Sequence, residues 1–177
     1  MMKISFKSGF LTPWAWFFLG LVALSGLGAC AYYSTSGGLV GGIRSVAIPA
    51  AENETSDAEV AELLSVQLAD AFSNDGRLRV VDEEGADALL MLRVTDLEDT
   101  PFTYTAAEVT EQYRFRVLIA AKLVKQADES RLLEMNRIEG WGTYDASLGE
   151  DEGRSLAIEA ALEMVIEEIV DRTTASW

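Results

Sequence analysis

Cys30 is the single cysteine of a 177-residue chain that contains no histidine. It follows Leu27-Gly28-Ala29, at the end of an apolar run from Trp14 to Ala29 that is broken by Gly20, Gly26 and Gly28. Lys3 and Lys7 precede the run, and no acid occurs before Glu52. A positive start, an apolar middle and small residues at a cut form the layout of a secretory signal. A thiol placed there can be thioether-linked to diacylglycerol, and the amine freed by cleavage can be acylated. The second set of residues with chemistry is basic. Arg114, Arg116 and Lys122 stand at even spacing in one alternating stretch, with Arg93 in the stretch before it. Guanidinium groups in a row on a sheet face can take phosphates or carboxylates. Cross-strand pairing with Glu134 or Glu139 is the plainer account of the same pattern.

Leu27 to Cys30 resembles the bacterial lipobox, Leu-x-(Gly/Ala)-Cys. The apolar run is shorter and more glycine-rich than the roughly 20 apolar residues of a spanning helix. An ordinary signal peptide, or an uncleaved anchor with Cys30 incidental, is the alternative. Residues 1–29 therefore read as a lipoprotein signal peptide and residues 30–42 as a lipid-anchored tether. Tyr32 and Tyr33 in that tether suit a membrane interface or packing on the domain. Each buried acyl CH₂ contributes about 0.8 kcal/mol, and a diacylglycerol with an N-acyl chain gives stable anchoring.

Composition excludes whole classes of function. Without histidine there is no Ser-His-Asp or Cys-His catalysis, no histidine metal site and no histidine pH switch. Glycine-rich phosphate loops are also absent from the sequence. Removing two lysines with the leader from a chain of net charge −15 leaves −17 on the remaining 148 residues. Such a charge argues against broad nucleic-acid binding and against a polybasic membrane patch. The acidic stretches 82–87 and 145–152 supply oxygen ligands for a divalent cation, but their spacing matches no calcium loop and a solvated charge run accounts for them. No cofactor and no metal are expected beyond the lipid on Cys30. After Cys30 no disulfide is possible, so an exported domain must rest on its apolar core.

The elements that position these residues follow from periodicity. Ile43 to Ile48 is a short strand closed by Pro49, and 52–55 is a polar loop. Ser56-Asp57-Ala58-Glu59 has the capping-box pattern of a helix start. Val60, Leu63, Leu64, Leu68, Ala71 and Phe72 then recur at helical spacing, and Gly76 suits the left-handed position past the end. Leu78 to Val81 is a second strand, returning in a βαβ-like unit. Ala88, Leu90, Leu92 and Val94 mark a central strand to about Leu97, and 98–110 reads as a polar loop or flared hairpin tip. Tyr113, Phe115, Val117, Ile119, Ala121 and Leu123 share one strand face, with the basic stripe on the other. Leu132 to Tyr144 is a last strand, in which Gly140 and Gly142 call for a bulge or a close backbone approach. Ile158, Ala161, Leu162, Val165, Ile166 and Ile169 define a closing helix. The order is β-α-β-β-β-β-α. It predicts an α+β two-layer sandwich over residues 43–177, with two helices on one face of a mixed, mostly antiparallel sheet. Trp141, Phe102 and Tyr104 are candidate partner contacts.

Several stretches together resemble the LPS-assembly lipoproteins, the LptE family. They are Cys30-Ala31-Tyr32-Tyr33, Gly42 to Pro49, Glu52-Asn53-Glu54-Thr55, Gly76 to Asp82, Ala86 to Leu90, Tyr113 to Val117 and the closing helix. The resemblance implies helices on a small sheet and no enzymatic activity. It implies a periplasm-facing position at the outer membrane, beside a large β-barrel partner, LptD, with lipopolysaccharide as the cargo. Ala31 after the cysteine, rather than aspartate, agrees with outer-membrane delivery. Two departures stand out. Ala51 replaces a common aromatic, and the loops at 105–108 and 145–153, which carry basic lipid contacts in some members, hold no Lys or Arg here apart from Arg154 at the edge. The face with Arg114, Arg116, Lys122 and Arg93 is then the candidate lipopolysaccharide contact. A looser pattern, Val-Ala-Ile-Pro, Asn-x-Thr and Arg-Val-Val, is similar to CsgG-like secretion lipoproteins and LpoB-like activators of peptidoglycan synthases.

Overall fold

Three long strands carry the architecture of the chain. In the computed structural model they are β4 (Ala88–Tyr104), β5 (Thr110–Lys125) and β6 (Arg131–Asp145), paired antiparallel in sequence order. The structure describes residues 42–148 and 150–175; the signal segment, Cys30, Tyr32, Tyr33 and the tether as far as residue 41 lie outside the described residues. Three short strands complete a six-stranded sheet: β1 (Ser45–Ala47), β2 (Glu52–Asn53) and β3 (Arg79–Val80). The order is β3-β1-β4-β5-β6, and β2 also pairs with β4. β1 and β2 lie end to end along the same edge of β4, both parallel to it, with Pro49 between them. β3 returns parallel to β1, as the βαβ reading requires.

Helices α1 (Ala58–Asp75) and α2 (Glu150–Thr174) share one core with the sheet. From α1 that core takes Val60, Leu64, Leu68 and Phe72, and from α2 Ala157, Ala161, Leu162, Val165 and Ile169. Phe115, Val117, Ile119, Ala121 and Leu123 of β5 are buried beneath them, which is the face the alternation assigned inward. Among the described residues nothing covers the other face, where Met91 and Trp141 are 43% and 44% exposed. The fold is therefore the expected α+β sandwich, with one additional short strand.

Three local readings need correction. The helix cap is Asp57 rather than Ser56: its carboxylate accepts from the Glu59 amide at 3.1 Å. Asn53 holds the approach, accepting from the Thr55 amide at 2.9 Å and donating to the Asp57 carbonyl at 2.9 Å. This places the cap one residue later than the capping box implies. The stretch 52–55 is not only loop, since β2 pairs with Arg93 and Val94. The largest difference lies at 98–110, where β4 continues to Tyr104 and the turn shrinks to 105–109. Pro101 is tolerated because, among the described residues, β4 has no neighbour past β2 on its outer side, so a missing N–H breaks no second ladder. Gly76 does end α1 at φ 71°, and its amide donates to the Phe72 carbonyl at 3.1 Å.

A bulge explains why the alternation blurs after Val94. Val94 faces Ile119 and Asp96 faces Leu118, so Thr95 is the extra residue, and its hydroxyl donates to the Leu118 carbonyl at 3.1 Å. Before it, Ala88, Leu90, Leu92 and Val94 point to the helices. After it, Leu97 and Asp99 take that side, and Asp96, Glu98 and Thr100 share the open face with the basic stripe.

The start of β4 is tied to β1 by one carboxylate. Asp87 accepts from the Arg44 amide at 2.8 Å and from the Ser45 amide and hydroxyl at 3.0 Å each. The Arg44 amide first, then the Ser45 hydroxyl, hold its carboxyl below the ordinary carboxylate range. A depressed folded-state value stabilises the fold fully above the unfolded value near 3.8, and that contribution is lost as pH falls through the lower folded value. Asp87→Asn is expected to lower the thermal midpoint at neutral pH and to flatten its decline on acidification. Melting curves from neutral pH to about pH 3 test this, and parallel curves for the two proteins would refute it.

Candidate functional site: the open face of the sheet

The strand register decides which basic residues meet. Arg114, Arg116 and Lys122 lie on the uncovered side of β5, and Arg93 joins them because it stands directly opposite Ala120. The four residues therefore share one face, as the spacing predicts, but they are not equivalent there.

Arg116 sits opposite Glu98 on one side and Trp141 on the other. Its guanidinium pairs with Glu98, with Asp96 at 4.0 Å, and Glu98 raises its already high proton affinity. The partners expected from sequence, Glu134 and Glu139, are taken by Arg131 and Arg137. The Thr95 bulge, which turns Asp96 and Glu98 to this side, is what sequence alternation misses. Arg93 pairs with Glu52 at 2.9 Å and Glu54 at 3.3 Å, both brought close by β2 and its exit. Lys122 is exposed and stands between Met91 and Glu134 in register.

Arg114 differs from all of these. Its guanidinium carbon lies 3.7 Å from the centre of the Phe102 ring and 5.1 Å from that of Trp141. Thr100 and Thr143 stand directly opposite it on the two neighbouring strands. Its Nε is buried with no hydrogen-bond partner, and among the described residues no carboxylate forms an ion pair with it. A cation held between two π faces is attracted by them without being neutralised. Phe102, Tyr104 and Trp141, the aromatics picked out in the sequence, are 42%, 56% and 44% exposed at this end of the sheet. The arrangement offers a positive planar group, two hydroxyls and an apolar rim. It suits an anion carried on an apolar body.

Charged side chains also gather on the helix side, where they are structural. Arg154 of α2 reaches Asp57 at 2.8 Å and Asp99 at 3.4 Å, and Asp99 accepts from the Tyr144 hydroxyl at 3.1 Å. This network ties the start of α2 to the cap of α1, to β4 and to β6. From sequence alone Arg154 reads only as a residue at a loop edge; the bulge that turns Asp99 inward is again the missing signal. In the acidic stretches, Asp87 and Asp145 serve as acceptors for backbone amides. No group of three or more possible metal ligands occurs among the described residues.

Among the described residues the chain is a small α+β sandwich with one sheet face left bare. A profile of the family LptE, lipopolysaccharide-assembly, matches residues 43–173, so the chain belongs to that family, whose members are non-enzymatic lipoproteins. No curated protein sequence matches the chain. Among solved structures it is similar to protein XCC0632 from Xanthomonas campestris, with 14% identity, a TM-score of 0.53, and coverage of 72% of this chain and 81% of that one. It is also similar to a minor lipoprotein from Acinetobacter baumannii, with 12% identity, a TM-score of 0.50, and coverage of 73% and 90%. At such identities the likeness shows the fold.

Proposed function

We propose that this chain is an outer-membrane lipoprotein, held at the periplasmic face by acyl chains on Cys30, that partners an LptD-like β-barrel in lipopolysaccharide assembly. The observation that carries the reading is family membership over nearly the whole folded domain, residues 43–173. Cys30 directly after Leu27-Gly28-Ala29 supports the anchor. The bare sheet face supports direct contact with lipopolysaccharide, and Arg114 is its centre because its charge is not already satisfied by a carboxylate.

Native-level extraction in mild detergent is expected to recover the protein with a large outer-membrane barrel; recovery alone refutes the partnership. Cys30→Ala is expected to abolish retention in the outer membrane. Depletion tests the function itself. Loss of surface lipopolysaccharide is the expected result, whereas a cell-wall defect with normal lipopolysaccharide would place the chain with the LpoB-like activators.

A further inference from the structure

We propose that the outer edge of β6 between Ile138 and Thr143 is a docking site for an extended segment of another protein, which adds to the sheet as a further strand. The proposal does not depend on the barrel partnership or on lipopolysaccharide binding.

An open strand edge is a template for pairing, and proteins normally block such edges with short strands, charges, proline or bulges. Every other edge of this sheet carries such a block. β3 is two residues long. The free stretch of β4 holds Asp96, Glu98, Asp99 and Pro101. β6 is the last strand in the order, and its first half is interrupted by register shifts opposite Leu123/Val124 and Ile119/Ala121, with Arg131, Glu134 and Arg137 around them. From Ile138 to Thr143 the pairing with β5 runs without a shift, and the sequence Ile-Glu-Gly-Trp-Gly-Thr has no proline and no lysine. That length matches an ordinary strand.

Apolar side chains flank this edge on both faces. On the open face Trp141 is 44% exposed. On the other face α2 lies directly over Gly140 and Gly142 through Ala161 and Ala157. Glu159, Glu163, Ile166 and Val170 line the groove that α2 shares with Gln67 and Ala71 of α1. Ala160 and Met164 stand on the side of α2 away from that groove, where both are exposed, Met164 by 41%. An added strand would lie between Met164 and Trp141 and cover both.

Charge selects the occupant. Glu139, paired at the surface with Arg137 at 3.2 Å, borders the edge on the open face, and a chain of net charge −15 repels a second copy of itself and attracts a basic segment. A segment that alternates apolar with basic residues fits. Its main chain supplies the ladder, its basic side chains lie on the open face beside Glu139 and Trp141, and its apolar side chains lie toward Met164 of α2.

The test uses the full mature lipoprotein in detergent and an octapeptide alternating valine and lysine, with a proline-interrupted octapeptide as control. Amide hydrogen exchange is expected to slow about tenfold at alternate residues within 138–143 when the alternating peptide is added, and Trp141 emission is expected to shift to shorter wavelength. The proline-interrupted peptide is expected to do neither. Trp141→Lys, at an exposed position that leaves the core intact, is expected to weaken peptide binding about tenfold. Unchanged exchange in this segment overturns the proposal. So does slowing spread evenly over the chain, or equal effects of both peptides, which would mark diffuse charge attraction. Protection that appears without peptide and grows with protein concentration would overturn it in favour of self-pairing.

Discussion

Gly140→Ala is expected to lower the free energy of unfolding by about 3 kcal/mol, at the upper end of ordinary overpacking costs. A methyl group there would stand 2.0 Å from the Ala161 carbonyl oxygen and 2.7 Å from Cγ2 of Val165. At Gly142 it would meet the Ala157 carbonyl oxygen at 2.2 Å and its Cα at 2.7 Å. Backbone of a packed helix cannot swing aside as a side chain can, so α2 must lift. Lifting it loosens Ala157, Ala161 and Val165, all fully buried, and interiors packed at crystal density lose many small contacts in such a shift. In a domain of this size the thermal midpoint would fall by roughly 10 °C. Gly85→Ala is the control, since nothing lies within 4 Å of a Cβ there, and it should remain within about 0.5 kcal/mol of the parent. Urea unfolding of the three proteins measures both values. If Gly140→Ala matched Gly85→Ala, the close approach of α2 to β6 would be refuted.

Arg114→Ala is expected to reduce lipopolysaccharide capture by the mature lipoprotein about tenfold, the effect of losing one charge-assisted contact. Arg93→Ala should change capture less than about twofold, because its charge is already shared with Glu52 and Glu54 at the surface. The contrast between the two makes the test specific. Both variants remove one positive charge from the same face, so a general field effect would move them equally. Arg114→Lys should recover only part of the loss, since a compact ammonium does not stack between Phe102 and Trp141 as a planar guanidinium does. Cross-linking of lipopolysaccharide to each variant reads the outcome. Equal capture by parent and Arg114→Ala would return this face to a purely structural role.

Periodicity alone exposed most of the sandwich. The alternation from Tyr113 to Leu123 identified the buried face of β5, and the 3.6-residue spacing from Val60 to Phe72 identified that of α1. Gly140 and Gly142 were recognisable as special, and the structure decides between their two readings: the strand runs regularly through both, and a helix lies against them. The limits of β4 were not legible. Its second half is polar and contains a proline, features of a loop that an edge strand also permits. The site was half legible for the same reason. Even spacing put Arg114, Arg116 and Lys122 on one face, but their partners depend on which residues β4 presents across the ladder. One inserted residue, Thr95, changes that set, and neither spacing nor composition records it. The single free guanidinium among them emerges only when Phe102 and Trp141 are brought together from strands on either side.

Thr95 also divides the long hairpin into two segments of opposite phase. Removing it would leave Asp96 opposite Leu118 and Leu97 opposite Val117, so every side chain beyond would keep its face. What the extra residue sets is the bend and twist with which the outer half of the hairpin leaves the sheet, so a single codon can re-aim the Arg114 end of the open face while the core under the helices stays as it is.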